Sequence, residues 1–156
     1  MKRIETIGKL KNYFDIRELV SKDVYNALGQ NAWKLIDTRL LETLLALREK
    51  ILRVPLVVNN WKAGGNFSQR GFRENTCEIV KQKTNAGSVY LSAHCFGCAI
   101  DFHSPKMTPD EIRRKIAENA KQLPHPVRIE NGQNAPTWVH IDVAVNDDST
   151  AKISWF

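Results

Sequence analysis

The sequence predicts one small α+β domain, and three observations point to it. The chain has 156 residues, enough for one buried core but with no room for two full-sized domains. Its first third carries leucines at helical spacing, while later segments carry short apolar runs that alternate with polar residues. At 42% apolar and 26% charged residues, the composition is that of an ordinary folded protein rather than a disordered or fibrous one. The organisation expected is a single domain, with a helical part over about residues 1–54 and a core over about residues 55–156, divided near Pro55.

Each element has a local reason. Ser21 before K-D-V-Y-N-A-L and Gly29 after it supply the N-cap and the stop of a short helix. Asp37 caps a longer one, in which Leu40, Leu41, Leu44, Leu45, Leu47 and Ile51 form a buried stripe. Leu56-Val57-Val58 is a β-prone run closed by Asn59 and Asn60. Trp61 to Arg73, with Gly64-Gly65 and two arginines, reads as a loop that lies over something. A short helix is expected from Glu74 to Lys83, closed by Gly87, and a strand or the approach to one at Val89-Tyr90-Leu91.

Ala99 to His103 reads as a strand with Ala99, Asp101 and His103 on one face and Ile100 and Phe102 on the other. Thr108-Pro109-Asp110-Glu111 opens a helix with a capping box, and Ile112, Ile116 and Ala120 give its buried stripe as far as about Gln122. Val127 to Glu130 and Thr137 to Val143 are expected to pair as a hairpin, joined by a loop that opens on Asn131-Gly132. A turn and a last edge strand ending in Trp155-Phe156 complete the chain.

Charge and cysteine content narrow the function classes. Lys and Arg number 23 against 17 Asp and Glu, and the sequence pI near 9.3 gives a positive field that favours polyanions. A nucleic acid and an acidic bacterial wall both qualify, but no run of five basic residues marks a nucleic-acid arm. The basic residues are scattered and the tryptophans sit largely in apolar segments, so no nucleic-acid partner is expected. No apolar stretch is long enough to span a bilayer, and M-K-R-I-E-T-I-G-K-L lacks the apolar core of a secretory signal. The expected location is the cytoplasm at synthesis, as a monomer. Three cysteines, Cys77, Cys95 and Cys98, are an odd count that argues against a disulfide framework and for a reducing compartment.

The chemistry concentrates in S-A-H-C-F-G-C-A-I-D-F-H, Ser92 to His103, and in W-V-H-I-D, Trp138 to Asp142. Burying such groups among Ala, Phe, Ile, Val and Trp is costly unless a partner or a metal compensates. Zinc in hydrolases takes three protein ligands and leaves a fourth position for water, whose pKa falls toward about 7. His94, Asp101 and His140 supply such a set, with Gly97 letting the backbone turn between the first two. Cys95-x-x-Cys98 has the spacing of a zinc knuckle or a redox pair, but no second ligand pair accompanies it, and small buried thiols are the simpler reading. A general base is needed as well. Glu130 can reach the site across the hairpin as that base, with Asp142 orienting the imidazole, or Asp142 itself can serve; the register decides. Trp138 shares the face of His140 and Asp142 and is expected beside the ligands. Arg70 and Arg73 can each hold a carboxylate through the guanidinium fork, or both can be solvated surface residues.

These two segments resemble the S-x-H-x-x-G-x-A-x-D and H-x-H/D motifs of the zinc D-alanyl-D-alanine carboxypeptidase family, which includes the L-alanyl-D-glutamate endopeptidases of phage endolysins. The match falls at Ser92, His94, Gly97, Ala99 and Asp101, and then at His140, within a region from about Leu56 to Val143. The resemblance implies a small α+β domain of the hedgehog and D-Ala-D-Ala peptidase type, with an antiparallel sheet carrying Zn2+. It implies cleavage of peptide bonds in peptidoglycan stem peptides, with the enzyme acting on the wall after release. It also implies that Arg73, in G-F-R, grips a substrate carboxylate and that Ser92 binds the peptide close by. Many members carry an acid three residues before the last histidine ligand; here that position is Thr137. A non-catalytic zinc-binding module, structural or wall-binding, is the alternative.

Overall fold

The computed structural model describes residues 2–144 and 151–156. Among them, α1 (Arg3–Leu10), α2 (Lys22–Leu28) and α3 (Thr38–Ala46) come first, and α3 runs on as one π-helical turn, Leu47–Ile51. Then come α4 (Glu78–Asn85), β1 (Ala99–Phe102), α5 (Pro109–Glu118), β2 (Val127–Ile129), β3 (Val139–Asp142) and β4 (Ile153–Trp155). Four helices precede the first strand, α5 lies between β1 and β2, and one sheet gathers the strands, as expected of an α+β domain.

The helix ends sit where capping chemistry puts them. The Ser21 hydroxyl accepts from the Val24 amide, Asp37 from the Arg39 amide, and Thr108 with Glu111 forms a reciprocal capping box. Leu40, Leu41, Leu44, Leu45, Leu47 and Ile51 are all buried. Each contributes roughly 1.5–3 kcal/mol of transfer free energy relative to exposure. They pack in the same core as Ile112 and Ile116 of α5 and the inward residues of the sheet.

Strand order is β1-β3-β2-β4. β3 lies antiparallel to both β1 and β2, so the expected hairpin forms. The sheet is not wholly antiparallel, however, because β4 pairs parallel with β2. Topology accounts for the difference. β3 already has a neighbour on each side, so a strand that reverses direction after it can add only at an outer edge of the sheet, and at the edge of β2 its direction matches that of β2. The turn expected before β4 falls largely outside the described residues.

Three other expectations shift. Leu56-Val57-Val58 makes only a single bridge, Val57 with His103, beyond the end of β1. Val89-Tyr90-Leu91 is irregular, with Val89 85% and Leu91 72% exposed. Tyr90 turns the other way, its hydroxyl on Arg73. The helix expected from Glu74 starts only at Glu78, where the Gln69 side chain accepts from the Ile79 amide, while Glu74 accepts from the Ser21 hydroxyl. α1 is an addition; its Arg3 donates to the Trp33 and Ile36 carbonyls and so ties the N-terminus to the entry of α3.

Candidate metal centre

The sheet separates its side chains by period. Ile100, Phe102, Ile129, Val139 and Ile141 point into the core with 1% exposure or less. On the other face, the register sets Asp101 opposite His140 and Asp142 opposite both Ala99 and Arg128. Residues directly across an antiparallel pair share a face, so β1 and β3 deliver Asp101 and His140 side by side. His94 arrives from the 3₁₀ turn Ala93–Phe96 that leads into β1, capped by the Ser92 hydroxyl, which accepts from the His94 amide.

Gly97 makes that approach possible. Its φ is +68°, and a Cβ there would lie 2.0 Å from the Leu35 carbonyl oxygen. No other residue fits both the left-handed backbone and the close contact.

The three side chains converge as a group able to hold a metal ion. His94 Nε2 lies 3.3 Å from His140 Nδ1 and 3.4 Å from Asp101 Oδ1, and His140 Nδ1 lies 2.7 Å from Asp101 Oδ1. A tetrahedral ion with bonds of about 2.0–2.1 Å sets its ligand atoms about 3.3 Å apart, so two of the three edges already have that length. The third is shortened by a hydrogen bond.

The surrounding groups fix which atoms face the centre. His94 Nδ1 donates to the Gly71 carbonyl at 2.8 Å, which leaves Nε2 with its lone pair inward. His140 Nε2 donates to Asp142 Oδ2 at 3.1 Å, which turns Nδ1 inward. Asp142 is in turn held by Arg128 through Nε and Nη2. Arg73 Nη2 takes Asp101 Oδ2 at 3.0 Å, leaving Oδ1 for the centre. Every ligand therefore has a partner that orients it, the arrangement common to protein metal sites.

Electrostatics follow from the same contacts. Burial opposes the charge on His140, but hydrogen bonds to Asp101 and Asp142 outweigh it and push the imidazole up to about 9. Burial would raise Asp101, yet hydrogen bonds from His140 and His94 hold it well below the usual carboxylate range. Asp142 is likewise lowered against its burial, by His140 and Arg128.

Arg70, Arg73, Asp101 and Trp138 line one cavity of about 250 Å³ beside this group. Arg70 stacks on Phe67 and donates from Nη1 to His103 Nδ1 at 2.9 Å. Burial and the Arg70 charge both lower His103, keeping it the neutral acceptor that this bond requires. Ser92 stands at the cap of the His94 turn. Glu130 follows β2, and its amide donates to the His140 carbonyl, which extends the register and sets Glu130 across from His140 on the ligand face. Thr137 is exposed. The three cysteines are free; Cys98 is buried with its thiol toward Asp37, and Cys95 joins no ligand group among the described residues.

Sequence reasoning missed Gly71, Arg128 and Tyr90. Arg128 left a signal, since a charge set between buried Val127 and Ile129 faces the other side of the sheet and wants an acid opposite. Gly71 left none: it acts through its carbonyl and through a close approach in which a Cβ would lie 2.1 Å from the Leu19 carbonyl oxygen.

The fold and the site define a small α+β domain bearing a His-Asp-His group that can hold a metal. Comparison with protein-family models, with curated proteins and with solved structures returned no match. No helix among the described residues is long and apolar enough to cross a membrane.

Proposed function

We propose that this protein is a zinc peptidase that cleaves peptide bonds in bacterial peptidoglycan stem peptides. The observation that carries the reading is the convergence of His94 Nε2, Asp101 Oδ1 and His140 Nδ1 beside a cavity lined by two arginines and Trp138. Two imidazoles and one carboxylate in near-tetrahedral spacing suit Zn2+ among the common metals, and three protein ligands leave one position open, as catalytic zinc sites do. When bound, zinc would act as a Lewis acid and lower the pKa of water, the chemistry that amide hydrolysis needs.

The chain's own residues divide the remaining work. Gly71 and Asp142 hold the two imidazoles in the tautomers that bind, and Arg73 holds Asp101. Asp142 is 1% exposed, with its oxygens taken by Arg128, His140 and the Ala144 amide, so no substrate proton reaches it. That leaves Glu130, across the ladder from His140, as the general base at its carboxylate. Trp138 lines the cavity beside the ligand group, and Ser92 caps the turn that carries His94. The positive surface favours an anionic wall, and release of a phage lysis enzyme into that wall fits the resemblance.

Turnover of purified muropeptides by the zinc-loaded protein tests this reading. Glu130→Gln should lower kcat by about 10²–10⁴-fold while zinc stays bound. A zinc-loaded wild type that cleaves no muropeptide would leave a non-catalytic zinc module, for which the exposed Thr137 in the family's acid position already speaks.

A further inference from the structure

Two arginines enter the cavity beside the ligand group, and their surroundings differ. Arg73 is engaged on every nitrogen: Nε donates to the Gln69 carbonyl, Nη1 to the Tyr90 hydroxyl and Nη2 to Asp101. A second carboxylate there would compete with Asp101 and bring two like charges together. Among the described residues, Arg70 is held with no carboxylate in contact, and Asp101 favours its charge only through space. Its guanidinium lies 3.5 Å over the Phe67 ring, Nη1 is tied to neutral His103, and no carboxylate among the described residues pairs with it.

The free edge of Arg70 has a defined geometry. Nε and Nη2 point the same way from a guanidinium and together match the two oxygens of a carboxylate. Arg128 uses that very edge on Asp142, at 2.9 and 3.1 Å. On Arg70 the same edge has no protein partner among the described residues, while stacking and the His103 bond have already fixed the plane. A cation fixed in place, half buried and lining a cavity next to the metal ligand Asp101 is a seat prepared for an anion.

We infer that Arg70 seats a carboxylate of the substrate through Nε and Nη2, and that Arg73 is a positioning residue that holds Asp101. The identity of the ligand as a peptide rests on the peptidase reading; the seat itself rests on the geometry of Arg70. A carboxylate in a peptide comes from the chain terminus or from an acidic side chain, and the two sources bear on which bond is presented to the site. A terminal carboxylate at Arg70 fits removal of a last residue, and a side-chain carboxylate fits an internal cut.

The test uses the zinc-loaded full chain with ¹⁵N-labelled arginine, titrated with N-acetyl-D-alanine, with N-acetyl-D-glutamic acid α-amide and with N-acetyl-D-alaninamide. At least one of the two acids should shift the Arg70 Nε–H resonance, and which of them does so names the carboxylate source; the neutral amide should not. Arg70→Gln should weaken the bound acid by at least about tenfold, with zinc affinity held within about threefold, and Arg70→Lys should recover only part because an ammonium lacks the fork. Arg73→Gln should weaken zinc instead. The inference is overturned if neither acid moves Arg70 Nε–H, if Arg70→Gln leaves acid binding intact, or if Arg73→Gln abolishes the acid preference while zinc stays bound. The wild-type titration decides the matter even if a variant does not fold. Acid binding at Arg70 with no muropeptide cleavage would sink the peptidase and leave the seat; cleavage with no effect at Arg70 would do the reverse.

Discussion

The two faces of the sheet are built from the same few strands and obey different rules. On the inner face, Ile100, Phe102, Ile129, Val139 and Ile141 are interchangeable in kind, since each adds apolar area to one shared core. On the outer face no residue acts alone: Gly71 orients His94, Arg73 holds Asp101, and Arg128 holds Asp142, which orients His140. Loss of a residue on the first face costs its volume. Loss on the second leaves a charge or a lone pair without its counterpart.

Truncating the inner face should give the largest effect. Phe102→Ala is expected to lower stability by about 3–5 kcal/mol, read from denaturant unfolding. Protein that stays folded should still bind zinc nearly as tightly as wild type, and a loss of affinity larger than the loss of stability would show that the two faces are not separable. Removing a ligand should do the opposite. His94→Ala is expected to weaken zinc by more than about 100-fold, beyond the roughly 10–100-fold that loss of an orienting partner costs, as followed by competition with a chelator. Asp142→Asn belongs to that second class and should fall within about 10–100-fold, because the His140 ring stays in place with a weaker acceptor on Nε2.

The gentlest probe of the contrast is pH, which the inner face cannot feel. His140 is raised from an ordinary 6.5 to about 9, so its contribution to the stability of the metal-free protein is complete below about 6.5 and is lost as pH rises through about 9. Asp101 is lowered, so its contribution is present above its ordinary 3.8 and lost as pH falls below that. Metal-free stability from this face should therefore be greatest between about 4 and 6.5. Zinc affinity should instead climb, by about tenfold per pH unit up to about 9, because the metal must displace the His140 proton. A calorimetric titration that finds no proton release near neutral pH would mean that His140 is already neutral there.

The inner face and the grouping of His94, Asp101 and His140 were legible in the sequence because both follow period and local chemistry. Alternation around Asp101 and His140 placed them on one face, Gly97 marked the turn between His94 and Asp101, and the caps at Ser21, Asp37 and Thr108 fixed three helix starts. What stayed hidden depends on neighbours distant in sequence. The parallel placement of β4 follows from both edges of β3 being occupied, and no local pattern encodes that. Arg70 and Arg73, three residues apart on one loop, could not be told apart until Asp101, Tyr90 and His103 were placed around them. Glu130 lies across the ladder from His140 and Arg128 encloses Asp142, both outcomes of pairing rather than of composition.

Arg113 of α5 carries a consequence for how the site tolerates change. Its side chain is buried, with Nε on the Glu130 carbonyl and Nη2 on the carbonyls of Ala135 and Trp138, so one guanidinium grips both ends of the segment joining β2 to β3. A slip of one residue between those strands would turn His140 into the core. The grip comes from a helix whose position the core decides, so the residues between the gripped carbonyls are released from setting the register. The exposed Gln133 and Asn134 are thus a graft point, where sequence can be exchanged while His94, Asp101 and His140 keep their alignment; Gly132 is not, since a Cβ there would lie 2.9 Å from Asp110 Oδ1 and 3.4 Å from the gripping Arg113 Nη1.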